Sequence, residues 1–248
     1  AAVMSAMAKL EDRPIIAFTA GFEGDTVHDE REQARNLAAL VGAEHTCVEI
    51  RPNDFWNTLP SIISVLDDPV ADYAIVPTYL LAQEASKSVK VVLTGEGADE
   101  IFAGYGRYRS GIRPWPFRKK PWSRHILARS GVLKNNPGSW RSEIDITERH
   151  LADKSLSPLQ RLQSTDITHW LPNDLLTKVD RCLMAHGVEG RVPFLDRPLA
   201  NFGFYLSDSN KVSGRRGKAL LRSWLEIHCP QSKPFARKKG FSVPVGAW

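Results

Sequence analysis

The sequence predicts an α/β fold, a doubly wound and mostly parallel sheet followed by a mainly helical C-terminal part. Three features carry that prediction. Pro14 to Phe22 is an apolar, β-prone run without polar alternation, as expected of a strand covered on both faces. A helical stripe at Ala34, Leu37, Ala38 and Val41 follows, and Glu44 to Ile50 then resumes as a strand, which makes a strand-helix-strand unit with a right-handed crossover. A third strand, Val89 to Leu93, stops abruptly at two glycines and three acids, and open α/β sheets hold their ligands just outside such strand ends.

The elements follow in order. Ala1 to Leu10 reads as a helix of small apolar residues with no start signal, so the chain is expected to begin inside an element. His28 to Val41 is the first crossover helix, with acids in its first turn and Gly42 at its end. Asp54 to Leu66 is a further helix, interrupted by Asp67-Asp68-Pro69, and Thr78 to Lys87 is the helix that feeds the Val89 strand. Residues 1–105 therefore form the nucleotide-binding part. Residues 106–138 mix prolines, aromatics and basic residues, a composition for an arm or lid rather than a core helix. Residues 139–248 read mostly helical, with breaks at Pro158, Pro172 and Pro193.

Composition narrows the class. At 248 residues and 42% hydrophobic, the chain can bury a sizeable core. Its longest apolar runs are too short for a bilayer, so a cytoplasmic protein without a membrane partner is expected. Cys47, Cys182 and Cys229 show no Cys-x-x-Cys spacing, which fits buried thiols and neither a disulfide framework nor a zinc site. The net charge is +5, but Arg107 to Arg124 holds seven cations and no acid, so the remainder is close to neutral. Aromatics between those arginines could stack on single-stranded bases; a solvated loop closing over an anionic substrate is the favoured alternative.

The chemistry is expected at the carboxyl end of the Val89 strand. Val91, Val92 and Leu93 should be buried, and Gly95 and Gly97 let the backbone turn and approach a ligand closely. Glu96, Asp99 and Glu100 crowd that end and suit a Mg²⁺-bound polyphosphate, although a charged loop capping the next helix explains the same residues. Lys178, Asp180, Arg181, Glu189, Arg191 and Asp196 read as a fixed ion-pair network or as a structural hinge between two helices. Near the C-terminus, Arg237, Lys238 and Lys239 stand beside Gly240 as a solvated tail or as phosphate contacts.

Three stretches in register resemble the asparagine synthetase family, in its synthetase domain. They are Leu93-Thr-Gly-Glu-Gly-Ala-Asp-Glu-Ile-Phe-Ala-Gly-Tyr105, Lys178 to Asp196, and Arg237-Lys-Lys-Gly-Phe241, with Phe18 to Phe22 and His28-Asp-Glu30 in the same order. The resemblance implies the adenine nucleotide α-hydrolase (ATP pyrophosphatase) fold, with ATP and Mg²⁺. It implies a two-step amidation: a carboxylate, aspartate in the family's namesake, is adenylated with release of pyrophosphate, and ammonia then displaces AMP. It places Ala20 and Gly21 beside adenine, and Thr94, Gly95 and Tyr105 at the nucleotide. Asp99 falls on a Mg²⁺ acid, Glu96 on the acid serving ammonia attack, and Lys238 on a lysine that stabilises transition-state charge. Glu100 and the Lys178 to Asp196 charges are a supporting network.

The sequence also departs from the family. A Ser-Gly-Gly-x-Asp-Ser loop is expected just before a helix like Ala1 to Leu10, and an N-terminal glutaminase domain before that; neither falls in this sequence. Thr94 and Ala98 are mild changes from the commoner residues. The chain alone is accordingly expected to be inactive and cut at both ends, with the glutaminase domain as its expected partner and a homodimer left open. A β-lactam synthetase, a peptide- or polysaccharide-tailoring amidotransferase, an RNA-modifying ATP pyrophosphatase and a non-catalytic scaffold are the rival readings.

Overall fold

A computed structural model describes residues 1–23, 31–119, 141–152, 155–236 and 243–246. In chain order they form α1 (Ala2–Leu10), β1 (Ile16–Phe22), α2 (Arg31–Leu40), β2 (Glu44–Ile50), α3 (Pro52–Val65), α4 (Ile75–Ala85), β3 (Val91–Leu93), α5 (Ala98–Ile101), α6 (Gly106–Gly111), α7 (Ser142–Ala152) and α8 (Pro158–Thr165). A π-helical segment, Asp166–Leu176, leads into α9 (Thr177–Met184), β4 (Glu189–Arg191), α10 (Arg197–Tyr205), α11 (Asp208–Lys211), β5 (Val212–Ser213), β6 (Arg216–Gly217) and α12 (Ala219–His228). The fold is mixed α/β.

Two compact units share the chain, each assembled from separated stretches. The first comprises residues 1–96, 173–193 and 221–248. Within it β1 and β2 run parallel, from Ile16 opposite Glu44 to Phe22 opposite Ile50. The strand-helix-strand unit is thus present, with Gly42 at φ +68 just past α2. A second parallel pair, β3 and β4, aligns Val91 with Glu189 and Leu93 with Arg191. Helix α4 is the hub: it packs on α3, α9, β1 and β2. Its Ile75 and Val76 join Phe55, Ile62 and Cys182 in one buried cluster, while Ala82 packs with Val179, Leu183 and Val188. Burial there pushes the Cys182 thiol up to about 12, so this cysteine behaves as an inert apolar side chain.

The second unit comprises residues 97–172 and 194–220. Its core gathers Ala103, Tyr108 and Leu159, with Ile112, Leu162 and Val212 packed around them. Ser157 caps α8: its hydroxyl accepts the Gln160 N–H at 3.1 Å, and Gln160 Oε1 accepts the Ser157 N–H at 2.9 Å. The β5–β6 pair is a two-stranded antiparallel hairpin turning at Gly214, φ +56.

Three expectations are corrected. The third strand is short and not buried, with Val91 43% and Leu93 37% exposed. Only the opposite face, through Val92, meets the Val179–Leu183 cluster, and among the described residues β3 has β4 alone as a neighbour. The stretch read as an arm begins with a true helix, α6, which buries Tyr108 and Gly111; residues 120–138 lie outside the described residues. Pro172 does not break its helix but sits within the π-helical segment. Pro158, by contrast, opens α8 at its first turn, where a missing N–H costs nothing. Among the described residues no helix is long and apolar enough to cross a membrane.

Truncation of a buried α3 side chain tests the hub. Ile62 is 1% exposed, so Ile62→Ala should lower unfolding free energy by ~2–5 kcal/mol in urea denaturation, with little change in slope.

Candidate active site

In the first unit the chain leaves β3 through Thr94, whose N–H donates to the Arg191 carbonyl at 2.9 Å and extends the ladder by one residue. Gly95 follows, exposed, and a Cβ built on it would meet nothing within 4 Å. Its backbone face is open to a ligand. The next residue, Glu96, points its carboxylate toward Lys178, with Oε1 3.9 Å from Nζ.

Lys178 is the organising cation of this unit. It is 5% exposed and donates to Asp72 Oδ2 at 2.7 Å, while Asp72 Oδ1 accepts the Ala74 N–H at 2.9 Å. Asp174 lies in the same neighbourhood and accepts the Ala71 N–H at 3.2 Å. Burial pushes the Asp174 carboxyl up, the Asp72 charge adds to this, and Lys178 opposes it. A buried ammonium must be paired, so Asp72 and Glu96 hold Lys178 and are held by it.

This differs from the network expected from sequence. Arg181 pairs with Asp67, outside the expected set. Arg191 and Glu189 meet at 2.9 Å, both largely exposed, and such a pair is worth little. Asp180 and Asp196 join no ion pair among the described residues. The Lys178 to Asp196 charges thus do not form one network: Lys178 is buried toward Asp72 and Glu96, while Asp180 and Arg181 are exposed.

Ala20 and Gly21 are both buried at the end of β1. Ala20 packs with Phe22 and Ile50. A Cβ on Gly21 would fall 2.1 Å from Arg31 Cδ, so the arginine side chain lies across that glycine, and its Nη1 donates to Glu49 Oε1 at 3.1 Å. Lys238 lies outside the described residues.

In the second unit α5 starts at Gly97, whose φ of +84 is a conformation that costs other residues. Asp99, in the first turn of α5, accepts from Lys218 Nζ at 2.9 Å. Gly104 makes room for that carboxylate: a Cβ there would sit 1.7 Å from Asp99 Oδ1. Lys218 is itself held in a left-handed conformation, φ +56, by an N–H bond to the Phe102 carbonyl at 3.0 Å. Strain of this kind, about 1–2 kcal/mol, persists where surrounding structure enforces it. Lys218 was not singled out by the sequence, and its one signal there is an adjacent glycine, Gly217, whose Cβ would overlap the Ala103 carbonyl oxygen. Asp72 likewise escaped the sequence reading, since nothing local marks it as the partner of a lysine more than a hundred residues away.

Glu100 points the other way. It is 1% exposed and accepts the Tyr105 hydroxyl at 2.6 Å; burial pushes its carboxyl up, with the Tyr105 bond opposing. Burial, then the Glu100 charge, pushes the Tyr105 phenol up as well. The Tyr105 ring lies 3.8 Å from the Arg107 guanidinium carbon, and Arg107 Nη2 lies 2.7 Å from buried Asp166 Oδ2. Gln163 Nε2 donates to the carbonyls of Glu100 and Ile101 at 2.6 and 2.7 Å, and its Oε1 accepts from Lys211 at 2.9 Å. Lys211 is fully buried, which pulls its ammonium down to about 8. Glu100, Tyr105, Gln163 and Lys211 therefore fix α5, and Asp99 is the acid α5 presents.

A buried, raised carboxyl has a signed pH consequence. Folded Glu100 keeps its proton to higher pH than unfolded glutamate, near ~4.3, so stability falls as pH rises through the window above that value and is constant beyond the folded value. Glu100→Gln keeps an acceptor for Tyr105 without the charge. The Tm of the variant relative to wild type should rise with pH from 4 to 7; a difference that narrows would refute the assignment.

Comparison with known proteins gives the family. The asparagine synthase family model matches residues 1–248. A putative glutamine-hydrolysing asparagine synthetase of Mycobacterium tuberculosis (strain H37Rv) is 33% identical over 284 aligned positions, covering 99% of this chain and 43% of the relative. Glutamine-hydrolysing asparagine synthetase 1 of Bacillus subtilis (strain 168) is 32% identical, covering 93% of the chain and 43% of the relative. Asparagine synthetase B of Escherichia coli (strain K12) is 23% identical, covering 93% and 34%. The chain thus spans less than half the length of these relatives. With a family model matched from end to end, the chain belongs to the asparagine synthase family.

Proposed function

We propose that the protein is an asparagine synthetase-like amidotransferase that adenylates a carboxylate, aspartate, with ATP and then forms the amide with ammonia released from glutamine. The observation that carries this reading is the turn after β3, where Gly95 opens the backbone and a lysine-paired carboxylate, Glu96 to Lys178, follows directly. The glutamine-hydrolysing relatives support glutamine as nitrogen source and a glutaminase domain as partner. Two parallel strand pairs, with α4 packed on β1 and β2, support the doubly wound ATP pyrophosphatase type.

Mg²⁺ suits the acid that α5 presents. Asp99 offers a hard carboxylate oxygen, and Mg²⁺ takes one or two carboxylates and fills its remaining positions with phosphate oxygens and water. Asp99 would hold it, and when bound it neutralises charge on the departing pyrophosphate. Lys218, already on Asp99, adds a fixed positive charge.

The steps then follow. A substrate carboxylate oxygen attacks the α-phosphorus of ATP, the bond to the β-phosphate oxygen breaks, and pyrophosphate leaves; Thr94 and Gly95 supply backbone groups at the nucleotide. Ammonia next attacks the acyl carbon, the carbon–oxygen bond to AMP breaks, and Glu96 accepts a proton from the incoming nitrogen. Lys178, 3.9 Å from Glu96 Oε1, orients the carboxylate for that role. Lys238 supplies positive charge to the transition state, worth ~10²–10³ in rate.

Pyrophosphate release and asparagine formation, measured on protein carrying the whole chain with aspartate, ammonia and MgATP, test the scheme. Glu96→Gln and Lys238→Ala should each lower the rate by at least about tenfold while the protein stays folded by circular dichroism. Gly95→Ala should raise KM for ATP at unchanged Tm, because a Cβ there disturbs no protein atom. Wild-type rates in all three would remove these residues from the mechanism.

A further inference from the structure

The second unit holds a pocket that the proposed chemistry does not use. It measures about 440 Å³ and is lined by Gly106, Arg109, Ser110, Ile112, Arg113, Val212, Gly214 and Arg215. Three arginines line it from two parts of the chain, Arg109 and Arg113 from α6 and the residues just after it, and Arg215 from the tip of the β5–β6 hairpin. No carboxylate lines it, and none of the three arginines forms an ion pair among the described residues. Arg109 spends one nitrogen on long bonds, 3.4 Å each, to the carbonyls of Gly104 and Tyr105, which aim the side chain and leave its other donors available. Arg113 and Arg215 are exposed, and among the described residues their side chains form no such tether.

Placing three like charges around one concavity costs free energy unless an anion fills it, and arginine forks match phosphate oxygens two at a time. The volume falls in the range of small-molecule sites, ~300–1,000 Å³, and is larger than a single phosphate group needs. Ile112 and Val212 line the wall with apolar surface, while Gly106 and Gly214 leave the backbone unshielded. We propose that this pocket, whose lining includes neither Asp99 nor Lys218, binds a small phosphorylated ligand with two or more negative groups. The excess of cations in 107–124 thereby acquires a structural meaning: two of the seven are drawn to a pocket completed by a residue of the distant β5–β6 hairpin.

Tripolyphosphate titrated calorimetrically into the protein, in magnesium-free buffer with chelator, is the test. The double variant Arg113→Gln/Arg215→Gln removes two exposed charges that hold no other element, so its Tm should match wild type and its affinity should fall at least tenfold. Arg109→Gln is the second, independent variant and should weaken binding similarly. Lys218→Ala, which alters the proposed reaction centre, should change the affinity by less than twofold. Binding lost in Lys218→Ala and kept in the double variant would place the ligand at the reaction centre and overturn the proposal. Absence of tripolyphosphate binding by wild type would do the same. So would tighter binding of a short single-stranded RNA that also depends on Arg113 and Arg215, because the pocket would then be part of a nucleic-acid track.

Discussion

The turn at Gly97 constrains everything the acidic stretch can do. Its φ of +84 is accessible to glycine at little cost, and a Cβ there would lie 2.3 Å from the Leu195 side chain. Helix α5 begins on that residue, with the Ile101 N–H bonded to the Gly97 carbonyl at 2.9 Å. The turn therefore decides where each of three neighbouring acids points. Asp99 stays partly accessible beside Lys218, Glu100 is turned into the core, and Glu96, which precedes the turn, remains with Lys178.

Each of these acids carries a different electrostatic assignment, set by its surroundings rather than by its type. Glu100 is desolvated, which favours its protonated form and outweighs the opposing hydrogen bond donated by Tyr105. Asp99 lies on Lys218 at 2.9 Å and Glu96 faces Lys178 at 3.9 Å. The two lysines are themselves fixed, Lys178 by burial against Asp72 and Lys218 by a left-handed backbone. Preorganisation of this sort costs folding free energy and contributes it back where charge develops in a reaction.

Gln163 shows how a neutral side chain supports such a site. One amide bridges the Glu100 and Ile101 carbonyls to the buried Lys211 ammonium, so the carboxyl end of α5 is tied to α8 and α11 without a further charge. Lys211 in turn satisfies the Phe204 carbonyl, and its burial is tolerable because its donors meet oxygen atoms. The Arg107–Asp166 pair beside Tyr105 completes a polar layer under α5.

Local pattern determined a good part of this protein. Period and turn residues located β1, α2, β2, α3 and α4 to within a few residues, and the end of β3 with its glycines and acids was legible because strand termination is a local event. What local pattern misjudged was exposure and partnership. Val91 and Leu93 look like core residues in sequence and are exposed, since burial depends on what packs above a strand and not on the strand's own composition. Pro172 looks like a breaker and is not, because the segment around it adopts a wider helix. The six charges between Lys178 and Asp196 look like one network, but among the described residues Lys178 and Arg181 pair outside the set, Glu189 pairs with Arg191, and Asp180 and Asp196 join no ion pair. Only the tertiary structure chose Asp72 for Lys178, Lys218 for Asp99 and Tyr105 for Glu100, and drew Arg215 to Arg109 and Arg113. Ion pairs and pockets form between side chains that folding brings within a few ångströms, and a one-dimensional spacing carries no record of that distance.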